Sequence, residues 1–453
     1  MSVLLDIFGQ FPLTICVPLC LFYEVKDPSS YPLMVQTMKD GLQRLSAAFP
    51  WIAGKVIIEG VNENCTGIRK IKLIGKIPLI IKDLRDDPSV PTMDEFRKTR
   101  FPMASIKEKV VAPYSFLPHL RDGNDPDTDS DPVFSVQMNF INGGLLLTCI
   151  GHHSVMDMTG ETKVMHLLSK ACHNEPFSSE ELRIGNLDRQ TVFQKVTEPF
   201  DPEVELVNQL TKVKRSFKES VGEALLKYVP STWKCFLFER DSLDALKALA
   251  SESISESTSF VSTDDSLTAF VFRAIIRARF PRLNPSTELS LVRCVNVRDY
   301  LGIHPDYLGN ALHQTYCSWK AESVVKAPVG SIASRLRSAI KPSELARQTL
   351  ILGTYLDGLQ DKSTVSYSAN LDATETVMLS SWAKMKSFDL DFNFGLGTPE
   401  VERFPQCIPV EGLVYFLHRG ANGEIPVSIC LRNEDMERLK ADKEFTKYGV
   451  YIG

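Results

Sequence analysis

Apolar and polar residues alternate from Phe134 to Phe140, with Phe134, Val136, Met138 and Phe140 on one side and Ser135, Gln137 and Asn139 on the other. A period of two predicts a half-buried strand. Asn142-Gly143-Gly144 then supplies a turn, and the apolar run Leu145–Ile150 completes a hairpin. After Asp157 the period changes. The stretch Thr159–Ser169 reads as a capped helix, with Thr159 or Gly160 near its start. Between strand and helix lies Gly151-His152-His153-Ser154-Val155-Met156-Asp157, which presents an imidazole where a buried strand ends.

The same reading extends along the chain. The apolar stretch Phe11–Tyr23, broken by Pro12 and Pro18, is too short to span a bilayer and predicts a buried strand. A helix is predicted from Tyr31 to Phe49, with Met34, Met38, Leu42, Leu45 and Phe49 on one face. Phe49–Val56 closes it and begins another strand. The loop Arg121–Pro132 is rich in Asp, Gly and Pro. Its Asp125, Asp127 and Asp129 mimic the start of a calcium loop, but Ser130 stands where that loop needs Gly and Val136 where it needs Glu. It reads as a surface loop.

Residues 174–232 are polar and helix-prone, as a crossover would be. Beyond them, strands are predicted at Leu289–Val297, Gln314–Trp319, Val377–Trp382, Leu413–Leu417 and Val427–Leu431. Helices fall at Asp265–Arg279, at Ser331–Ile340 and from Asn433. Strands mixed with helices in both halves predict two layered α/β domains with a cleft between them, 1–173 and 233–453, joined by the crossover.

Composition narrows the function. The chain has 453 residues, 43% hydrophobic and 24% charged, which suits a soluble protein of two domains. A net charge of -5 gives no electrostatic case for nucleic acid or an anionic membrane. The basic cluster Lys212, Lys214, Arg215, Lys218 reads as the solvated face of a linker helix. Ten cysteines are scattered singly, several inside apolar runs. No C-x-x-C pair or Cys/His cluster with zinc spacing occurs, which argues against a metal and for buried thiols in a reducing compartment. With no basic segment ahead of the first apolar run, the expected location is cytoplasmic.

His153 and Asp157, in H-x-x-x-D spacing, read as a general base and a residue that fixes its loop. Histidine suits a base because its ordinary pKa of about 6.5 leaves it largely neutral at cellular pH. No G-x-S-x-G elbow is present, so nothing supplies a serine acyl-enzyme. His119, His166, His173, His304, His313 and His418 are read as structural, and His152 as pointing to the opposite side from His153.

His153-x-x-x-Asp157 resembles the catalytic motif of the BAHD acyl-CoA-dependent acyltransferases. Asp391-Phe392-Asn393-Phe394-Gly395, preceded by Ser380-Ser381-Trp382, resembles that family's D-F-G-W-G segment. Tyr307-Leu308-Gly309-Asn310 and Phe49–Lys55 are similar to its Y-F-G-N and Y-P-L-A-G-R segments, and Ser262–Arg273 to the start of its second domain. Together, in family order over the whole chain, these are specific. Within the family the chain is most similar to the fungal trichothecene 3-O-acetyltransferase branch, in Val111-Ala112-Pro113, Phe260–Asp265, Ala333–Arg337, Met378–Lys384 and Asp435–Asp442. One departure stands out. Asn393 occupies a family glycine and Phe394 a family tryptophan, and Asn tolerates positive φ better than most residues.

The resemblance implies two chloramphenicol-acetyltransferase-like domains with a tunnel at their interface. Acyl-CoA, acetyl-CoA by preference, would enter one side as co-substrate, with no permanently bound cofactor. A small-molecule alcohol, a trichothecene-like sesquiterpenoid by preference, would enter the other, and the chain would be a monomer. His153 would draw the acceptor proton during direct attack on the thioester, while Asp157 turns away to pair with Arg298. Ser380 and Trp382 would contact the oxyanion or donor carbonyl, and Asp391 and Gly395 would support the site. Arg335 and Arg337 read as exposed helix charge, and Tyr307, Gly309 and Asn310 as a structural turn. Two alternatives stay open. His152-His153-x-x-x-Asp157 also resembles the motif of nonribosomal condensation domains, with Asp265-Ser266-Leu267 a superficial likeness to a carrier serine. The other alternative is a non-catalytic acyl-CoA or metabolite binder.

Overall fold

The computed structural model describes residues 2–12, 15–117, 131–210, 229–366 and 372–453. His119, the Asp125/Asp127/Asp129 set and the Lys212–Lys218 cluster lie outside them.

The expected hairpin lies at the heart of a five-stranded sheet ordered Val401–Arg403, Cys16–Glu24, Gly144–His152, Phe134–Ile141, Leu79–Asp83. Phe134 pairs with Gly151 and Ile141 with Gly144, while Cys16 on the next strand pairs with His152. The alternation in Phe134–Ile141 predicted one solvated face, but every residue of that strand is buried. Its polar face is covered by the segment ending in Val111. Gln137 Nε2 donates to Val110 O (2.9 Å), and Asn139 Nδ2 to Val111 O (3.0 Å) and Leu146 O (3.1 Å). Polar side chains can be buried on condition that they find such partners.

Two helices cover the apolar face. Tyr31–Ala48 brings Met34, Met38, Leu42 and Leu45, and Met158–Cys172 brings Val164, Met165 and Leu168, into one core. A smaller sheet of Ser2–Leu4, Cys65–Leu73, Gly54–Asn62 and Asp131–Pro132 flanks them.

The second half builds a seven-stranded sheet ordered Leu312–Lys320, Glu288–Asn296, Thr376–Ser381, Leu413–Phe416, Ile425–Arg432, Ser231–Phe238, Gly449–Tyr451. Its principal helix, Thr263–Arg279, opens with a capping box between Ser262 and Asp265. A capping box satisfies two donors that a helix end would otherwise leave bare. The strand Ser231–Phe238 begins inside the span read as crossover, and the helix Pro342–Gly358 had no counterpart in the sequence reading.

The halves are not separately closed. Val401–Arg403, from the second half, pairs with Cys16–Glu24 of the first sheet, Val401 opposite Phe22. Trp382, Phe392, Phe394, Phe404 and Leu417 join the first half's core. Second-half loops are thereby laid against the His153 loop. Among the described residues, no helix is long and apolar enough to cross a membrane.

Candidate active site

His153 is the first residue beyond the strand Gly144–His152. Its N–H donates to Ile15 O (2.9 Å), and its carbonyl accepts from Asn310 Nδ2 (3.2 Å). The loop backbone is therefore gripped from both halves. The residue is partly buried, and that burial holds the imidazole pKa below its ordinary 6.5, with the Asp157 charge opposing more weakly. An imidazole so placed is neutral and able to accept a proton near neutral pH.

Asp157 is 1% exposed and caps the Met158–Cys172 helix, its Oδ1 accepting from Gly160 N at 2.9 Å. The helix therefore starts one residue before the Thr159 read from sequence, because Asp157 itself is the cap. Both carboxylate oxygens also face Arg298. Nη1 meets Oδ2 at 2.8 Å and Nη2 meets Oδ1 at 2.9 Å, while Ala311 N adds a bond to Oδ2 (2.9 Å). Arg298, 1% exposed, spends its remaining donors on Tyr307 O (3.1 and 3.0 Å), Gly309 O (2.7 Å) and Asn296 Oδ1 (3.2 Å). A buried pair holds position when each partner is saturated in this way. Asp157 is fully engaged by these donors and by its helix.

Ser380 and Trp382 lie at the end of Thr376–Ser381, which runs parallel to Glu288–Asn296, the strand that leads to Arg298. Parallel pairing puts both strand ends on the same edge of the sheet. Trp382 Nε1 donates to Ser380 Oγ (3.0 Å), and its ring stacks on Tyr415 at 4.9 Å. Among the described residues, no hydrogen bond joins Ser380 or Trp382 to the His153 loop.

Asp391 and Gly395 lie elsewhere. The Asp391 carbonyl accepts from Ser169 Oγ and from His173 Nε2 (3.0 Å), and Asn393 Nδ2 donates to Cys172 O (3.1 Å). These contacts gather at the far end of a 15-residue helix, roughly 20 Å from its Asp157 cap at about 1.5 Å per residue. The segment thus supports the helix rather than the site directly. Asn393 sits at φ 57° and Gly395 at φ 75°, so the asparagine occupies the left-handed conformation and also satisfies a carbonyl at the helix end. Phe394 packs edge-on against Tyr23, with ring centres 6.2 Å apart.

Sequence reading undervalued Tyr307–Asn310. Far from being a passive turn, it supplies two carbonyls to Arg298 and a side chain to the His153 backbone. Its match to the Y-F-G-N segment was the available signal. Arg337 is tied to Asp265 by its Nε (2.8 Å), and Arg335 lies over the Trp319 ring at 4.7 Å. Ser266 is fully buried inside a helix, where no carrier arm can reach it.

One group of potential metal ligands is found among the described residues: Cys16, Asp131 and His152, with ligand atoms within 4.8 Å of one another. Sequence spacing could not show it, since the three come from separate strands. The imidazole speaks against an ion. His152 Nδ1 accepts from Ser154 N (3.2 Å), whereas a metal-bound ring places a proton on its second nitrogen and donates it.

Residues 15–172 match the trichothecene 3-O-acetyltransferase-like N-terminal domain, and residues 105–446 match the Transferase family. The chain is 44% identical to trichothecene 3-O-acetyltransferase of Fusarium sporotrichioides, over 99% of this chain and 97% of that protein. It is 43% identical to an O-acetyltransferase of a Cryptosporiopsis species, again over 99% and 97%. The crystal structure of F. graminearum TRI101 with coenzyme A and deoxynivalenol superposes at a TM-score of 0.94, with 41% identity and 100% of both chains covered. The chain belongs to the Transferase family, the BAHD acyl-CoA-dependent O-acyltransferases.

Proposed function

We propose that this enzyme moves an acetyl group from acetyl-CoA to a hydroxyl of a trichothecene-like sesquiterpenoid, with His153 as the general base. One observation carries the mechanism: the loop bearing His153 is fixed by the buried Asp157–Arg298 pair, while the histidine itself is left neutral and partly exposed. His153 takes the proton of the acceptor hydroxyl as its oxygen attacks the thioester carbonyl, and returns that proton to the departing CoA thiolate. Protons balance without a covalent enzyme intermediate. The Trp382 indole N–H is spent on Ser380, so the group that meets the developing oxyanion is the Ser380 hydroxyl, with Trp382 orienting it. The names of the relatives at 44% and 43% identity support acetyl as the group transferred, and the first supports a trichothecene as acceptor.

The working unit is a cytoplasmic monomer of two domains, 1–173 and one that begins with the strand Ser231–Phe238 and runs to 453, joined by the crossover from 174. The test is CoA thiol release from acetyl-CoA across a panel of trichothecene and other polycyclic alcohols, with His153→Ala alongside. The expected result is an acetylated trichothecene from the native enzyme and a rate loss of at least ~10² in the variant. Refusal of every trichothecene while other alcohols turn over would discard the acceptor, and a native rate in His153→Ala would discard the base.

A further inference from the structure

The His153–Asp157 loop is held at a second place, through Asp6 and Arg189, which no motif marks. Asp6 is fully buried and opens the turn Ile7–Gln10, its Oδ1 accepting from Gly9 N at 2.9 Å. Its Oδ2 accepts from Tyr307 Oη (2.8 Å) and from Arg189 Nη1 (3.2 Å). Arg189 Nη1 also donates to Val155 O (2.8 Å), inside the loop, and its guanidinium lies 4.5 Å from the centre of the Trp51 ring. Tyr307 reaches the loop by the other route, because its carbonyl holds Arg298 and Arg298 holds Asp157. The N-terminal turn also touches the loop directly. A Cβ on Gly9 would come within 2.5 Å of Ser154 O, so only glycine allows that approach.

We propose that Asp6 is a positioning residue for the reaction, the knot of an N-terminal strap that fixes the His153 loop through Arg189, Tyr307 and the turn at Gly9. The inference rests on His153 being the base. Asp6 is distant in sequence from every motif of the site, yet its carboxylate joins the first half, the crossover and the second half at one point. It touches neither acceptor nor donor. Its effect is geometric: without it Val155 and Tyr307 lose an anchor each, and His153 can drift from the line of proton transfer. Misplacement of about 1 Å is enough to cost on the order of 10²-fold in rate.

The experiment uses the full-length enzyme with acetyl-CoA and whichever alcohol of the panel it accepts. Asp6→Asn, Tyr307→Phe and His153→Ala are compared with the native protein for kcat, for both KM values and for folded fraction by circular dichroism. Asp6→Asn is expected to lose about 10- to 100-fold in kcat per folded molecule, with each KM changed less than about twofold. Tyr307→Phe, which removes one hydrogen bond, is expected to lose less and in the same parameter. Native kcat per folded molecule in Asp6→Asn, or a loss confined to KM, would overturn the proposal. If Asp6→Asn does not fold, Tyr307→Phe decides by the same criterion. A native rate in His153→Ala would instead show that the base is misassigned, and the strap would lose its object.

Discussion

Two of the loops that sequence motifs single out, His153–Asp157 and Asp391–Gly395, are fixed by opposite means. The His153–Asp157 loop is held by charge out of water: the Asp157–Arg298 pair is about 1% exposed and ringed by five further bonding partners. The Asp391–Gly395 loop is held by backbone carbonyls, an exposed asparagine and two stacked rings, Phe392 and Phe394, 5.9 Å apart. Burying an ion pair costs several kcal/mol of desolvation, which apolar packing avoids. The costly device stands beside the proposed base and the cheap one where a helix end needs covering.

The strongest way to break that comparison is to remove one partner of the pair. Arg298→Ala leaves the Asp157 carboxylate buried without its counter-charge and should destabilise the enzyme by about 3–5 kcal/mol in a denaturant titration. Removing both partners, in Asp157→Ala/Arg298→Ala, should cost less than the sum of the single changes, because the orphaned charge disappears. Simple additivity would mean that the pair is not the lock described here.

A second prediction concerns the proposed base itself. Burial keeps His153 below its ordinary 6.5, so the acid limb of kcat/KM should have its midpoint below pH 6.5. The stability linkage has the matching sign. The unfolded chain protonates this histidine first, so its contribution is complete above pH 6.5 and is lost as pH falls through the lower folded value. A midpoint above 6.5 would show that the ring is more hydrated, or nearer negative charge, than this geometry has it.

Much of this was legible in the chain, and the limits have physical causes. Period-two alternation located the hairpin, and the end of its second strand located His153. Alternation could not report that Gln137 and Asn139 would be buried, because the carbonyls of Val110 and Val111 that receive them belong to a segment far away in sequence. The Arg298 partner came from resemblance alone, since a separation of 141 positions from Asp157 hides the contact from any local pattern. Asp6 and Arg189 carried no signal, being single charged residues in unremarkable segments. Asn310 carried one, in its motif, and was read as a turn because its side-chain bond to His153 O is long-range.

Smaller effects should come from the second loop. Asn393→Ala forfeits the bond to Cys172 O and replaces a residue that tolerates φ 57° with one that tolerates it less, which together should cost about 1.5–2.5 kcal/mol. Asn393→Gly keeps the backbone at ease and loses only the cap, for about 1 kcal/mol or less. If glycine proved as damaging as alanine, the side-chain bond to the helix end, and not the left-handed backbone, would be what the position requires.

Asp391→Asn should do least. The grip of Asp391 on the helix runs through its backbone oxygen, to Ser169 and His173, and its side chain accepts within its own loop from Asn393 N at 2.8 Å. An asparagine oxygen can accept that same bond, so melting should shift by the equivalent of about 0.5 kcal/mol or less, with kcat unchanged. The residue stands at the head of the motif, and its charge adds to the helix end only a 3.8 Å approach to His173 Nε2, at a partly exposed position where an ion pair contributes little. A large loss in Asp391→Asn would therefore count against the division drawn between the two loops, by showing that the second also depends on charge.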